Sequence, residues 1–198
     1  MESNLSKLHI SDFLNIREYE LVRNEWTKKI IAHKQTRRLQ INEHIMLCFE
    51  DKRTIWYQIQ EMIRIEKIHS SELLLEEIDA YSPLIPNGSE FKATMMIMYE
   101  DASTRKEWLT KLKNIEHTVW VAIGDHPPIY AIADEDLPRS DEEKTSAVHF
   151  LRFPLTESQC KDFKKGAQVS IGVDCKVITL DTIMLSDHLR KALLKDLL

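Results

Sequence analysis

The residues best suited to chemistry are concentrated between Asp134 and Phe153, in the segment DEDLPRSDEEKTSAVHFLRF. The segment is a charged loop that runs into an apolar stretch. Its charged and ionisable groups include Asp134, Glu135, Asp136, Arg139, Lys144, His149 and Arg152. Polar groups that converge in an apolar setting are the usual form of a binding or catalytic site. The segment is therefore a candidate binding or catalytic site.

The apolar part, residues 145–153, is typical of a central strand that is covered on both faces. Because side chains alternate along a strand, His149 shares one face with Leu151 and Phe153, whereas Arg152 lies on the other face. A buried arginine without a partner is costly, so Arg152 needs a carboxylate, and residues 134–136 supply the nearest acids. Two interpretations remain open. One is a core ion pair beside a hydrogen-bonded core histidine. The other is a pocket lined by Asp134, Asp136, Lys144, His149 and Arg152.

A second set of polar groups lies on a helix predicted over residues 53–68. Glu61 and Arg64 are three residues apart, the spacing of an ion pair on a helix surface. On a helical wheel Glu66 falls in the middle of the apolar stripe, one turn beyond Met62. If Glu66 is buried there, it needs a partner such as Arg152, Arg23 or a metal ion.

These groups suggest an enzyme as one hypothesis. A histidine with two or three carboxylates can hold Fe, Mn or Zn, and a metal-free histidine can act as a general base. The candidate catalytic residues are Glu61, Glu66, Asp134, Asp136 and His149. The candidate ligand-binding residues are Arg64, Arg139, Lys144 and Arg152. No particular metal or other cofactor is indicated, and the alternation that separates His149 from Arg152 argues against one combined site.

An accessory or binding protein is the leading hypothesis, because the chain has no GxSxG, P-loop, HExxH, Rossmann or kinase motif. Such a protein would dock a redox partner or a small anionic ligand. A third hypothesis is RNA or nucleotide binding through the basic residues between Lys28 and Arg38. The formal net charge of −5 argues against a nucleic-acid partner.

Length and composition indicate one domain over residues 1–198, with residues 1–12 as a loosely held arm. Cys48, Cys160 and Cys175 are far apart and match neither a zinc pattern nor a disulfide framework. The chain has no apolar run long enough to span a bilayer and no signal-peptide core. We therefore expect a cytoplasmic protein without a membrane partner.

The periodicity of apolar residues predicts the element order αββααβα, then βββ, then αβ(β)α. Ser70 or Ser71, Asp101 and Ser186 are placed to cap helices, and Thr156 with Gln159 forms a capping box. Three consecutive strands with short connections indicate antiparallel pairing. The predicted fold class is α+β, with a mixed or mainly antiparallel sheet and helices packed against it.

Several blocks resemble an uncharacterised bacterial family, the domain of unknown function numbered 3501. They are IIAHKQTRR, CFEDKRTIWYQIQEMIRIEK, EEIDAYSPLIPNGSEFKATMMI, ADEDLPRSDEEKTSAVHFLRF and the final KALLKDLL. The resemblance implies a cytoplasmic bacterial protein that works beside redox or peroxide-defence proteins. The implied partner is a rubrerythrin-like or iron–sulfur protein. The chain itself has neither the two helical carboxylate-x-x-His motifs of a di-iron protein nor a cysteine set for a cluster, so a partner role is favoured over electron transfer.

Overall fold

The computed structural model describes residues 7–135, 139–141, 143–178 and 180–198. The helices are α1 (Ile16–Gln35), α2 (Lys52–Ile65), α3 (Ser71–Tyr81), α4 (Ala102–Lys111), α5 (Glu157–Lys165) and α6 (Asp187–Leu193). The strands are β1 (Arg38–Gln40), β2 (Ile45–Phe49), β3 (Glu90–Ile97), β4 (Val119–Ile123), β5 (Ile129–Tyr130), β6 (Ile132–Ala133), β7 (Val148–Pro154), β8 (Val169–Val173) and β9 (Ile183–Met184).

Four helices begin where the sequence predicts them to begin. Ser70, Asp101 and Ser186 accept a hydrogen bond from the backbone three residues on, and so cap α3, α4 and α6. Thr156 and Gln159 form the predicted capping box of α5. These caps confirm the predicted helix starts. No described helix is both long and apolar enough to cross a membrane.

The described strands form two antiparallel sheets. The first has the order β1-β2-β3-β7-β6, and the second has the order β5-β4-β8-β9. The α+β class and the antiparallel pairing are therefore confirmed, but the strands divide between two sheets. The division occurs at Ala131, which is buried and donates its N–H to the carbonyl of Val119 at 2.8 Å. Before Ala131 the chain pairs with β4, and after it the chain pairs with β7.

One large apolar core contains residues from both sheets. Strand β7 contributes Leu151 and Phe153 to it, and β3 contributes alternate residues such as Phe91 and Met95. The alternation of β7 places Phe150 and Arg152 on its other face. That face is opposite α2 and α3, with a cavity between them.

A smaller apolar cluster holds the N-terminal helices together. Ile55, Ile59 and Ile63 of α2 pack with Ile78 of α3. Leu8, from the segment predicted as a loose arm, is also buried in this cluster. Residues 1–6 of the predicted arm lie outside the described part of the chain.

The C-terminus is joined to α1 and α2 by a buried ionic cluster around Arg37. The Arg37 guanidinium bonds to the Asp196 carboxylate and lies 3.4 Å from the Asp51 carboxylate. Its other hydrogens reach the carbonyls of Phe49, Glu50 and Ala192 at 2.8–3.2 Å. Arg37 was a member of the basic cluster considered for RNA or nucleotide binding. Its burial shows that this member serves the core, because the surrounding carboxylates and carbonyls offset the cost of burying its charge.

We expect this cluster to make stability depend on pH between about 4 and 7. Burial, reinforced by Asp51, raises the pKa of Asp196 from its ordinary 3.8 to about 6 in spite of Arg37. The Asp196 contribution is therefore fully present below the ordinary pKa and is lost as the pH rises through about 6. The rise in the pKa of Asp196 from 3.8 to about 6 corresponds to a stability contribution of about 3 kcal/mol at most. The pKa of Asp51 moves the opposite way, because bonds to His33 and the charge of Arg37 outweigh its burial, so Asp51 loses its contribution only in stronger acid.

Denaturant unfolding of Asp196→Asn beside the wild type, from pH 4.5 to 8, measures this effect. The variant should gain stability relative to the wild type as the pH rises, because it lacks the carboxyl group that ionises. A difference between the two proteins that stays constant over this range would contradict the assignment.

Candidate functional site

The structure divides the predicted site residues among three places. His149 and Asp134 belong to a buried network on the core face of β7. Arg139, Arg152 and Glu66 line the cavity on the opposite side of this strand. Of the other predicted residues that the structure describes, Glu61 and Arg64 lie on α2 and Lys144 lies in the loop before β7. The alternation of β7 predicted the central feature of this division, the separation of His149 from Arg152.

His149 is fully buried and is hydrogen-bonded at both ring nitrogens. Nδ1 lies 2.5 Å from Oδ2 of Asp134, and Nε2 lies 2.8 Å from the Thr145 hydroxyl. Nε2 is also 3.1 Å from the Ser146 carbonyl. Bonds at both nitrogens fix the orientation of the ring, as expected for a histidine without access to water.

Glu116 completes the buried network and was missed by sequence reasoning. Its carboxylate accepts hydrogen bonds from Thr145 at 3.1 Å and from Ser140, and lies 3.8 Å from Nε2 of His149. Glu116 belongs to a single turn of 3-10 helix, which follows Asn114 in the left-handed conformation. Nothing in the local pattern distinguishes it from a solvated acid, because its partners come from a segment at least 24 residues away.

The network can be tested as a metal site by its geometry. Glu116, Asp134 and His149 each offer a ligand atom within 4.8 Å of the others. Both ring nitrogens of His149 already have a partner, however, because Nδ1 contacts the Asp134 carboxylate and Nε2 contacts the Thr145 hydroxyl. A metal at Nε2 would displace Thr145, and one at Nδ1 would displace Asp134 from contact. The contacts describe a hydrogen-bonded chain from Asp134 through His149 and Thr145 to Glu116.

Arg152, on the other face of β7, has the carboxylate partner that its position required. Nε and Nη2 bind the two oxygens of Glu135 at 2.6 and 2.7 Å, which is a bidentate ion pair. Nη1 lies 3.7 Å from Glu90 of β3. The hydrogen bond from Arg152 lowers the pKa of Glu135, which keeps the carboxyl group ionised.

The Arg152–Glu135 pair lies in a cavity of about 460 Å³ between β7 and the helices α2 and α3. Met62, Tyr81 and Phe150 are among its apolar walls. Among the described residues, its charged side chains are Glu66, Glu77, Lys92, Glu135, Arg139 and Arg152. All three cations belong to the side formed by β3, β7 and the loop before β7.

Arg139 connects the cavity with the buried network. Its guanidinium carbon lies 4.4 Å from the centre of the Phe150 ring, the geometry of a cation–π contact. Its Nε lies 3.3 Å from Oδ1 of Asp134, the residue that also contacts His149. The same oxygen of Asp134 accepts the Phe150 N–H at 3.0 Å. Asp134 therefore anchors the loop on both sides of β7.

Glu61 and Arg64 are paired as their spacing predicted, at 3.0 Å. Glu61 also accepts hydrogen bonds from Tyr19 and Arg23 of α1. Burial alone would raise the pKa of Glu61, but these three donors outweigh it and lower the pKa to about 2. With three partners across α1 and α2, this carboxylate joins the two helices and lies outside the cavity.

Neither Glu66 nor Lys144 is buried. Glu66 is exposed at the cavity, whereas the helical wheel placed it in the buried stripe. The wheel fails here because α2 ends at Ile65 and Glu66 is already the C-cap residue. Lys144 is exposed in the loop before β7, where its N–H bonds to Asp141 at 2.8 Å. Asp136 lies outside the described residues.

Comparison with known proteins places the chain in one family. The model of the family described as "Protein of unknown function (DUF3501)" matches residues 7–197. A crystal structure of a novel protein of unknown function from Burkholderia pseudomallei K96243 is 42% identical, with a TM-score of 0.92. The match covers 97% of this chain and 100% of that one. No curated protein matches the chain. The resemblance inferred from the sequence blocks is thus confirmed, and the chain belongs to the DUF3501 family.

Proposed function

We propose that the protein is an accessory protein that binds a small anionic molecule with an apolar body, in the cavity between β7 and the helices α2 and α3. The observation that carries the proposal is the convergence of Arg152, Arg139 and Lys92 on one side of a largely apolar cavity. Small-molecule sites are typically apolar clefts with a few placed polar groups.

The dimensions of the cavity support a small ligand. A volume of about 460 Å³ falls within the range of ligand pockets, which is roughly 300–1,000 Å³. Tyr81 and Phe150 offer aromatic surface for an apolar body, and Met62 offers a side chain that adapts to its shape.

The charges indicate which wall receives the anionic group. Arg152 is held in position by Glu135 and Glu90, so little side-chain entropy is lost when it binds a ligand. On the opposite wall, burial, followed by Glu66 and Glu76, raises the pKa of Glu77. That wall therefore opposes further negative charge. An amphipathic anion would place its charged end at Arg152 and its apolar end between Met62 and Tyr81.

The cavity supports binding better than catalysis. The described residues that line it include no His, Cys, Ser or Thr. His149, the candidate base, is enclosed on the far side of β7 with both ring nitrogens bonded. The ionisable groups of the cavity are carboxylates, Tyr81 and cations, and Lys92 is bonded to the Pro83 carbonyl, so the histidine that is the commonest catalytic base is missing from the described lining.

We expect Arg152→Gln to weaken the binding of a small anion by about tenfold or more, because the charge-assisted bonds of the guanidinium are lost. Isothermal titration calorimetry with benzoate, hexanoate and phenyl phosphate would measure this, with benzylamine as the cationic probe. Arg23→Gln is the matched control, since it also removes a bidentate arginine–carboxylate pair but lies outside the cavity.

Three outcomes would count against the proposed function. One is a wild-type protein that binds none of the three anions or that prefers benzylamine. Another is an Arg152→Gln variant that retains the wild-type affinity. A loss of affinity in Arg23→Gln as large as that in Arg152→Gln would point to general electrostatics and would count against the cavity.

The redox partner implied by the family resemblance stays a prediction. It is compatible with a ligand-binding accessory protein, and co-purification of a rubrerythrin-like or iron–sulfur protein from the native host is its test. The cytoplasmic location expected from the sequence likewise stays a prediction.

A further inference from the structure

We infer that the ligand is a carboxylate and that the Glu135 side chain occupies the carboxylate subsite until the ligand replaces it. The inference rests on the proposed function and goes further, because it names the ligand class and the group that competes with it. It is carried by the geometry of the Arg152–Glu135 pair and by the way in which the backbone presents Glu135.

The subsite already holds a carboxylate. The two oxygens of Glu135 each accept one hydrogen bond from Arg152, from Nε at 2.6 Å and from Nη2 at 2.7 Å. This side-on arrangement matches a planar group with two oxygens. A ligand carboxylate can take the same two bonds and use both of its oxygens, whereas a phosphate or sulfonate that takes these two bonds leaves its third oxygen without a partner in this pairing.

The pair is placed where exchange is possible. The Glu135 side chain is 49% exposed, so its carboxylate can return to water when it leaves Arg152. The Arg152 side chain is 25% exposed and lines the cavity. Ion pairs that water reaches are weak in net terms, because solvation competes with the contact. Glu90 lies 3.7 Å from Arg152, so the guanidinium has a second neighbouring carboxylate when Glu135 leaves it.

The backbone holds Glu135 in this competing position. Asp134, the preceding residue, has a φ of 51°, in the left-handed region that few residues other than Gly, Asn and Asp enter. Its N–H donates to the Phe150 carbonyl at 2.9 Å, and its carboxylate accepts the Phe150 N–H and contacts His149. Because Asp134 is fixed in this way, rotation of the Glu135 side chain is enough to vacate the subsite.

Calorimetric titration with benzoate tests the inference directly. We expect Glu135→Gln to bind benzoate about three- to tenfold more tightly than the wild type, because the competing carboxylate has lost its charge. Glu135→Ala should show at least the same gain. Glu143→Gln is the matched control, since it removes an exposed acid from the same loop and should change the affinity by less than about twofold.

A second measurement uses the unsubstituted protein. The carboxyl ¹³C signal of Glu135 should shift towards that of a solvated glutamate on saturation with benzoate. This readout does not depend on the folding of any variant. The same measurement with phenyl phosphate is the control, because this probe carries the phenyl ring of benzoate on a tetrahedral anion.

The outcomes separate this inference from the proposed function. A wild type that binds benzoate, with no gain in Glu135→Gln and no shift of the Glu135 signal, overturns the inference alone. Binding of phenyl phosphate more than about tenfold tighter than benzoate overturns the carboxylate assignment. A wild type that binds no anion overturns the proposed function as well. Tighter binding by both Glu135 variants, together with the shift, establishes the replacement.

Discussion

Arg37→Met should lower the free energy of unfolding by about 4 kcal/mol, the typical cost of removing one partner from a buried ionic cluster. Methionine fills much of the volume of arginine, so the loss comes from electrostatics and hydrogen bonds and not from a cavity. Asp51 and Asp196 would be left buried near each other without their shared cation. Three backbone carbonyls would lose a donor at the same time.

Equilibrium unfolding in urea at pH 7 would measure the effect of Arg37→Met. Arg38→Met is the control, because the neighbouring side chain is exposed and the same substitution there should have little effect. Adding Asp196→Asn to Arg37→Met should restore part of the lost stability, since one of the two stranded carboxylates is removed. A loss below about 1 kcal/mol in the single variant would mean that water or rearrangement satisfies the cluster.

The second large effect is expected for His149→Ala, at about 3 kcal/mol of unfolding free energy. The substitution leaves the Asp134 carboxylate and the Thr145 hydroxyl without their buried partner and creates a cavity beside β7. Asp134 also positions the loop that carries Glu135 and Arg139. The variant should therefore lose anion affinity as well as stability.

His126→Ala provides the comparison for His149→Ala. His126 also forms a histidine–aspartate contact, at 2.9 Å to Asp162, but both side chains are accessible to water. Its replacement should change the stability little, because solvent takes the place of the contact. Equal losses in the two variants, measured by urea unfolding, would contradict the assignment of His149 to a network that depends on burial.

The parts of the fold that were predictable depend on local chemistry. The capping box at Thr156 and Gln159 and the alternation along β7 each involve residues close in sequence, and both occur in the structure. The alternation also predicted that His149 and Arg152 would not meet. The need of Arg152 for an acid from residues 134–136 followed from the cost of an unpaired charge, and Glu135 fulfils it.

The features that sequence reasoning missed are set by contacts between distant segments. Glu116 reaches His149 only because the turn after α4 packs against the start of β7. Arg37 was grouped with the basic residues considered for RNA or nucleotide binding, yet Asp196, 159 residues further along the chain, contacts it in the core. The division of the strands between two sheets depends on the surroundings of Ala131, an ordinary residue in an alternating pattern.

The change of sheet at Ala131 connects the two sheets through one short segment of backbone. Five consecutive residues, 129–133, carry hydrogen bonds to β4 at one end and to β7 at the other. The sheets cannot slide past each other without extending this short run, which has no slack to release. Asp134 follows directly, so the loop that presents Glu135 begins at a junction held by both sheets. If a ligand displaces Glu135 as proposed, we therefore expect the movement to be confined to the side chains of the cavity.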